Sequence, residues 1–276
     1  MKLIIIIASC NPRTEKQPNP FTHSEYWNNQ ALKDILPHWT DHVIDSAHGS
    51  YYSTLDVNWQ PVNDTIRFPS MIARHLFSYS VGYLLSGDER HITMARNLKD
   101  YLLAHAWDQH YGGWYDALTP DGKPLQTSKS TFVQLYVITG LTLYYVVTHD
   151  REVRSYIDQS NDLLEEKVWD HQHGGYFDNL NQDWTLKNEV KTISSQLAPS
   201  SGYLLYLYLA TREQKYLTQS ERIMDTIMKK MTDPKTGWIL ENFDKALNYQ
   251  PGKADETEVN IGHNIEVAWT LLRLYM

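Results

Sequence analysis

Apolar residues follow two alternating textures along this chain. In the stretch 130–147 they cover almost every side of a helix, with Phe132, Val133, Leu135, Tyr136, Ile138, Leu141, Leu143, Tyr144, Tyr145 and Val146, which predicts a helix enclosed on several sides. In the next stretch, 150–169, Val153, Tyr156, Ile157, Leu163, Leu164 and Val168 recur near helical spacing among charged residues, which predicts a helix half in water. Then come Gly174-Gly175-Tyr176-Phe177-Asp178, a turn at Asn181-Gln182-Asp183 and a second short polar and aromatic run. This predicts a small hairpin across the helix ends. Inner helix, short turn, outer helix and hairpin loop form one unit.

The unit repeats. Trp107-Asp108 and Gly112-Gly113-Trp114-Tyr115-Asp116 return as Trp169-Asp170 and Gly174-Gly175-Tyr176-Phe177-Asp178, and again as Thr236-Gly237-Trp238, so that Gly113, Gly175 and Gly237 stand at a constant interval of 62 residues. Asp88, Asp150 and Arg212 keep the same interval. A period of this size carries one supersecondary unit. Helix pairs are predicted at 74–86 with 89–107, 130–147 with 150–169, and 193–210 with 213–231. An amphipathic stretch at 24–45 precedes them as an outer helix, ending in a loop at Gly49-Ser50-Tyr51-Tyr52, and 260–276 begins a further inner helix. The expected fold is all-α: a toroid of the (α/α)6-barrel type, incomplete at about eight of twelve helices, with short β-hairpin loops at one end. Four more helices would take about 124 residues at this period. The flank of the last helix, around Ile265, Trp269 and Leu272, is expected to be bare and to support self-association.

Composition narrows the partners. A net charge of −8 disfavours nucleic acid, which needs a basic face. With 42% hydrophobic residues the chain can bury a core, and no apolar run approaches the roughly 20 residues of a bilayer span. Residues 21–276 read as one partial barrel domain. Residues 1–20 read differently: Lys2, an apolar run from Leu3 to Ala8, then Ser9-Cys10, the only cysteine, and a polar leader. This resembles a lipoprotein signal with Cys10 as the lipidated residue, although the apolar run is shorter than usual. A short buried strand or a miscalled start would give the same letters. The lipidation reading favours a lipid-anchored periplasmic or outer-membrane location over a cytoplasmic one.

Candidate chemistry centres on two inner helices. His263 and Glu266 are three residues apart and share a helix face, so the carboxylate can orient an imidazole that moves protons near neutral pH. A core histidine satisfied by a neighbouring glutamate would show the same spacing. Arg74 lies early on an otherwise apolar inner helix, where burial is costly unless the guanidinium meets an anion or several oxygens; a sugar or an enediolate would serve, as would a structural carboxylate. Among the nine Trp and 19 Tyr, Trp114, Tyr136, Trp238 and Trp269 are the candidates to stack on a sugar ring. No second His and carboxylate pair lies on an inner helix to complete a metal shell, and neither a metal nor a cofactor is expected.

Three segments together resemble a family. Ala73-Arg74-His75-Leu76-Phe77-Ser78-Tyr79-Ser80, the Gly112–Asp116 loop and above all Gly262-His263-Asn264-Ile265-Glu266-Val267-Ala268-Trp269 look like the superfamily of N-acylglucosamine 2-epimerases and cellobiose 2-epimerases, which includes aldose–ketose isomerases acting on mannose. The resemblance runs from about His38 to the end. It implies a closed (α/α)6 barrel in full-length members, so that this chain resembles a C-terminally truncated one. It also implies a mono- or disaccharide substrate that loses its C2 proton to a histidine and passes through a cis-enediolate. His263 matches one of the acid/base histidines, Glu266 its orienting carboxylate, and Arg74 the arginine facing the substrate. The second acid/base histidine would fall beyond Met276, and the third inner helix, Lys191-Thr192-Ile193-Ser194-Ser195-Gln196-Leu197-Ala198-Pro199, lacks the histidine many members carry. Two alternatives remain open: a glycoside hydrolase on the same helical ring, with Asp116 and Asp178 as loop carboxylates, and a lipid-anchored carbohydrate-binding protein without catalysis.

Overall fold

A computed structural model describes residues 19–62, 64–251 and 259–276; Cys10 and residues 1–18 lie outside the described residues, and with them the lipidation reading. The first helical rod runs through α1 (Ser24–Asn29), a π-helical stretch (Gln30–Ile35) and α2 (Leu36–His42). Three helix pairs follow: α3 (Pro69–Ser86) with α4 (Glu89–Tyr101), α5 (Thr131–Thr148) with α6 (Arg151–Leu163), and α7 (Ile193–Ser201) continued by α8 (Tyr203–Thr211) with α9 (Gln214–Lys230). The last helix is α10 (Ile261–Tyr275). Among the described residues the arrangement is an arc of eight rods, as the periodicity predicts.

Caps explain where the outer helices start. Asp88 accepts from the Arg90 N–H, and Asp150 accepts from the Glu152 and Val153 N–H groups, each closing orphan donors of a first turn. Inner helices are apolar all round because neighbours enclose them: α5 packs on α3, α6, α7 and α8. By length and composition α5 could cross a membrane, yet 61% of it is buried inside the protein. It is the centre of the inner layer. Contact there is close, since a Cβ on Gly140 would lie 2.4 Å from the Ala73 carbonyl oxygen.

The third inner helix is broken. Pro199 lies inside α7, removing a donor, and the chain changes direction at Gly202 (φ −105°, ψ −116°) before α8 begins. The Ser201 carbonyl at the break accepts from Arg273 Nη1 at 3.3 Å, which ties α10 to the break.

Loops interlock consecutive units at one end of the arc. Besides the hairpins β1–β2 (Ile44–Asp45, Ser50–Tyr51) and β3–β4 (Ala117–Leu118, Pro124–Gln126), the strand before each inner helix pairs with the hairpin of the next unit: β5 (Lys129–Ser130) with β6 (Asn179–Leu180), and β7 (Lys191–Thr192) with β8 (Asn242–Phe243). A buried ion pair locks each joint. Arg67 meets Asp45, Lys129 meets Asp108 at 3.0 Å and Lys191 meets Asp170 at 2.7 Å. Burial alone would raise the Asp108 carboxyl, but hydrogen bonds from Lys129 and Gln182 and from the His110 and Tyr111 N–H groups hold it down at about 2.

The third repeat is in a different register from the one its letters suggest. Gly112 and Gly174 accept the left-handed backbone (φ +69° and +84°) and donate to the Asp108 and Asp170 carbonyls; Gly237 (φ +75°) does the same to Asp233. Gly237 is therefore equivalent to Gly112 and Gly174, not to Gly113 and Gly175, and Trp238 stands where the second glycine stood.

Candidate active site

With that register, the hairpin acids Asp116, Asp178 and Glu241 are equivalent. Each faces the start of an inner helix: Asp116 accepts from the Ser130 N–H at 2.8 Å, Asp178 from Thr192 at 3.0 Å and Glu241 from Asn260 at 3.2 Å. The carboxylate of Asp178, raised by burial, also meets Ser195. At the corresponding turn of α10 stands His263, and Glu241, one methylene longer than aspartate, reaches it. His263 Nδ1 lies 2.8 Å from Glu241 Oε2 and 3.1 Å from Oε1. A carboxylate only accepts, so Nδ1 carries the proton and donates, leaving Nε2 with its lone pair. The hydrogen bond that His263 donates to Glu241 raises the His263 pKa above its ordinary value against the opposing effect of burial, with smaller attractions to Glu241 and Glu266.

This corrects the expected pairing. Glu266 shares the helix face with His263 but does not bond its ring; it borders the interior beside it. Glu241 does the orienting, and it comes from the hairpin rather than from the helix.

Asn264 fixes the local frame of α10. Its side chain accepts from the Ile239 N–H at 3.0 Å and donates to the Ile239 carbonyl at 3.1 Å. Gln134 treats Trp114 this way at 2.8 and 2.7 Å, and Gln196 treats Tyr176 at 2.6 and 2.8 Å. These amides place Gln134, Gln196 and Asn264 at equivalent turns, and two residues further Tyr136, Ala198 and Glu266 face the interior in register. Arg74, seven residues after Arg67 as Tyr136 is seven after Lys129, completes the layer.

Arg74 and His263 meet across Tyr136. The Arg74 guanidinium lies over the Tyr136 ring at 3.8 Å and the Phe132 ring at 5.3 Å, and with Phe77, Ser78 and Tyr136 it lines a hollow of about 330 Å³. A smaller hollow of about 110 Å³, bordered by Phe132, Tyr136, Ser194, Ala198, His263 and Glu266, adjoins it. Among the described residues no carboxylate pairs with Arg74; its Nη1 contacts the Met71 sulfur at 2.9 Å. A half-buried cation held by aromatic faces is open to an anionic oxygen.

The aromatic candidates separate. Tyr136 lines both hollows. Trp114 does not: it is fully buried, its Nε1 donating to Ser160 Oγ at 3.1 Å and its ring packed on Trp107 at 4.8 Å, because its side chain fills the joint between outer and inner layers. Trp238 is exposed in the third hairpin, and Trp269 points along the outer flank of α10 with Arg273 over its ring at 4.3 Å. Neither borders the hollows. The sequence missed Glu241 because a constant interval of 62 from Asp178 lands on Leu240; the Thr232-Asp233 pair, matched to Trp169-Asp170, carries the register that finds it.

Comparison with known proteins gives the family and agrees with the fold. The family model of N-acylglucosamine 2-epimerase (GlcNAc 2-epimerase) matches residues 49–276. The cellobiose 2-epimerase of Bacteroides fragilis is 27% identical over 247 residues, covering 86% of this chain and 62% of that protein. The structure of cellobiose 2-epimerase from Spirochaeta thermophila superposes with a TM-score of 0.84 at 23% identity, over 95% of this chain and 65% of that one. That of a D-mannose isomerase superposes with a TM-score of 0.81 at 19% identity, over 91% and 65%. These are (α/α)6 toroids, and the chain spans less than two thirds of the length of each.

Proposed function

The chain belongs to the N-acylglucosamine 2-epimerase family, and we propose that its site moves a proton at C2 of an open-chain aldose, as a sugar 2-epimerase or an aldose–ketose isomerase. The observation that carries this reading is His263, its Nδ1 fixed by Glu241, beside an arginine that meets no carboxylate among the described residues. His263 Nε2 takes the C2 proton; the electron pair left behind forms the C1–C2 double bond, and negative charge passes to the C1 oxygen. Arg74 stabilises that oxygen, in a site whose aromatic walls strengthen the interaction. Return of the proton to C1, with the O2 proton passing to O1, gives the ketose. Return to the opposite face of C2 gives the epimer and needs a donor on that face. The ketose route uses one face and is served by His263 alone.

The hydrolase reading needs two carboxylates flanking a bond, roughly 5 to 9.5 Å apart. Asp116 and Asp178 are each engaged at the start of an inner helix in successive hairpins, which supports a structural part for both.

The test is incubation of the 276-residue protein with mannose and, separately, with cellobiose in deuterated water, read by proton NMR. Deuterium at C2 of the aldose or at C1 of the ketose, reduced at least about 10²-fold by His263→Asn, is expected. Absence of exchange alongside cleavage of a glycosidic bond would overturn the reading.

A further inference from the structure

Arginine, tyrosine, alanine and glutamate occupy the four equivalent interior positions 74, 136, 198 and 266. Three of these side chains reach inward and Ala198 does not, so a gap opens at the third unit. Two hollows meet there. The one beside His263 holds about 110 Å³; a deeper one, further from the hairpins, holds about 170 Å³ and is lined by Phe77, Thr139, Ser201, Gly202 and Tyr206; both are bordered by Tyr136, Ala198 and Glu266. The helix break makes the deeper space, because a Cβ on Gly202 would lie 2.7 Å from the Ala198 carbonyl oxygen and 2.9 Å from Thr139 Oγ1.

Resting on the proton-transfer reading, we propose that Ala198 is a specificity-determining residue: it admits the polyol tail of the aldose, the carbons beyond C2, into the deeper hollow and so sets the sugar length the site prefers. When C2 sits at His263, either the C1 oxygen or the tail points past Ala198. The C1 oxygen becomes anionic during the reaction and needs a cation. Glu266 borders both of these hollows and repels an anion from either, whereas Arg74 lines a third hollow that meets them at Tyr136, so the C1 oxygen is directed toward Arg74 and the deeper hollow is left to the tail. Arg273 approaches Tyr206 with its guanidinium 5.2 Å from the ring, and its Nη1 is engaged by the Ser201 carbonyl. The tail is neutral, with C–H faces and hydroxyl edges. Phe77 and Tyr206 offer faces for the first, and Thr139, Ser201 and Glu266 offer acceptors for the second.

Binding of a tetrose, a pentose and a hexose aldose is measured by saturation-transfer NMR on the wild-type chain, Ala198→Leu and Tyr206→Ala, with C2 exchange followed in the same samples. Ala198→Leu blocks the passage and Tyr206→Ala removes one wall, so hexose affinity falls at least about tenfold in each while tetrose affinity changes less than about twofold. Tyr206→Ala decides the matter should Ala198→Leu fail to fold. Equal losses at every length, or none, overturn the length gate and leave the proton-transfer reading standing. Length-dependent binding without C2 exchange supports the gate and overturns the chemistry; absence of sugar binding by the wild-type chain overturns both.

Discussion

Glu241 acts on His263 through a hydrogen bond, and its removal separates positioning from folding. In Glu241→Gln the amide keeps a hydrogen-bond acceptor but loses the charge that favours the imidazolium, so the His263 pKa falls from its raised position. The base works when neutral, so activity rises with pH through that pKa. The low-pH limb of the kcat profile therefore moves to lower pH, with kcat reduced roughly tenfold or more and KM little changed. An unmoved limb would assign the raised pKa to another group. A second histidine gives a stability effect. His75 is buried against Trp39, ring centroids 4.5 Å apart, with no hydrogen-bond partner for Nε2 among the described residues; burial pushes its pKa down to about 4, against a hydrogen bond to the Tyr52 backbone. Below 6.5 the unfolded chain takes up a proton that the folded one refuses, so this contribution is present at neutral pH and is lost as pH falls from 6.5 toward 4, by about 3 kcal/mol in all. Thermal melts of wild type and His75→Gln across that range should show a shallower pH slope in the variant. At this scale His263, Arg74 and Tyr136 were legible because a polar or aromatic side chain on an apolar inner helix stands out; Glu241 was not, since a carboxylate in a loop gains its meaning only when the fold sets it against a histidine.

Three of the hairpins each hang from an inner helix by one amide side chain, a repeated device that is open to test. Gln134 satisfies both the N–H and the carbonyl of buried Trp114. Gln134→Leu fills the same space and leaves both groups without partners, each costing about 1 to 3 kcal/mol, so urea denaturation should show a loss on the order of 2 to 6 kcal/mol with an unchanged m-value. A loss below 1 kcal/mol would mean that water replaces the amide. The helices themselves were legible from texture: α5 and α6 fall where the enclosed and half-wet patterns place them, whereas the third inner helix, read as one run over 193–210, breaks at Gly202. The short strands were less so. Lys129 pairs with Leu180 and Lys191 with Phe243, partners about fifty residues apart, and nothing local in a two-residue strand names a partner in the next unit. The buried pairs of Lys129 with Asp108 and Lys191 with Asp170 were hidden likewise, because a charged residue in a loop reads as solvated until its neighbours enclose it.

At the scale of the molecule, α10 leaves one side of the arc apolar. Ile261, Ile265, Trp269 and Leu272 are 65%, 64%, 46% and 56% exposed, and they recur every three or four residues along one face, while Val267 and Thr270 on the opposite face are buried against the rest of the protein. A stripe of this kind exceeds the scattered apolar residues of an ordinary soluble surface. A second copy offers an identical stripe, and two such stripes pack antiparallel about a twofold axis, each residue meeting its counterpart. The chain should therefore self-associate in solution, with sedimentation equilibrium giving a mass that rises with concentration above the 32.2 kDa of one chain. Replacing Ile265 and Leu272 by glutamate places like charges face to face in that packing and should return the monomer mass at every concentration. His263 and Glu266 lie on a different side of the helix from these two positions, so sugar binding should survive the double substitution. A wild-type mass that does not change with concentration would show that the stripe is tolerated in water, and loss of sugar binding in the double variant would show that the flank and the site are coupled through α10.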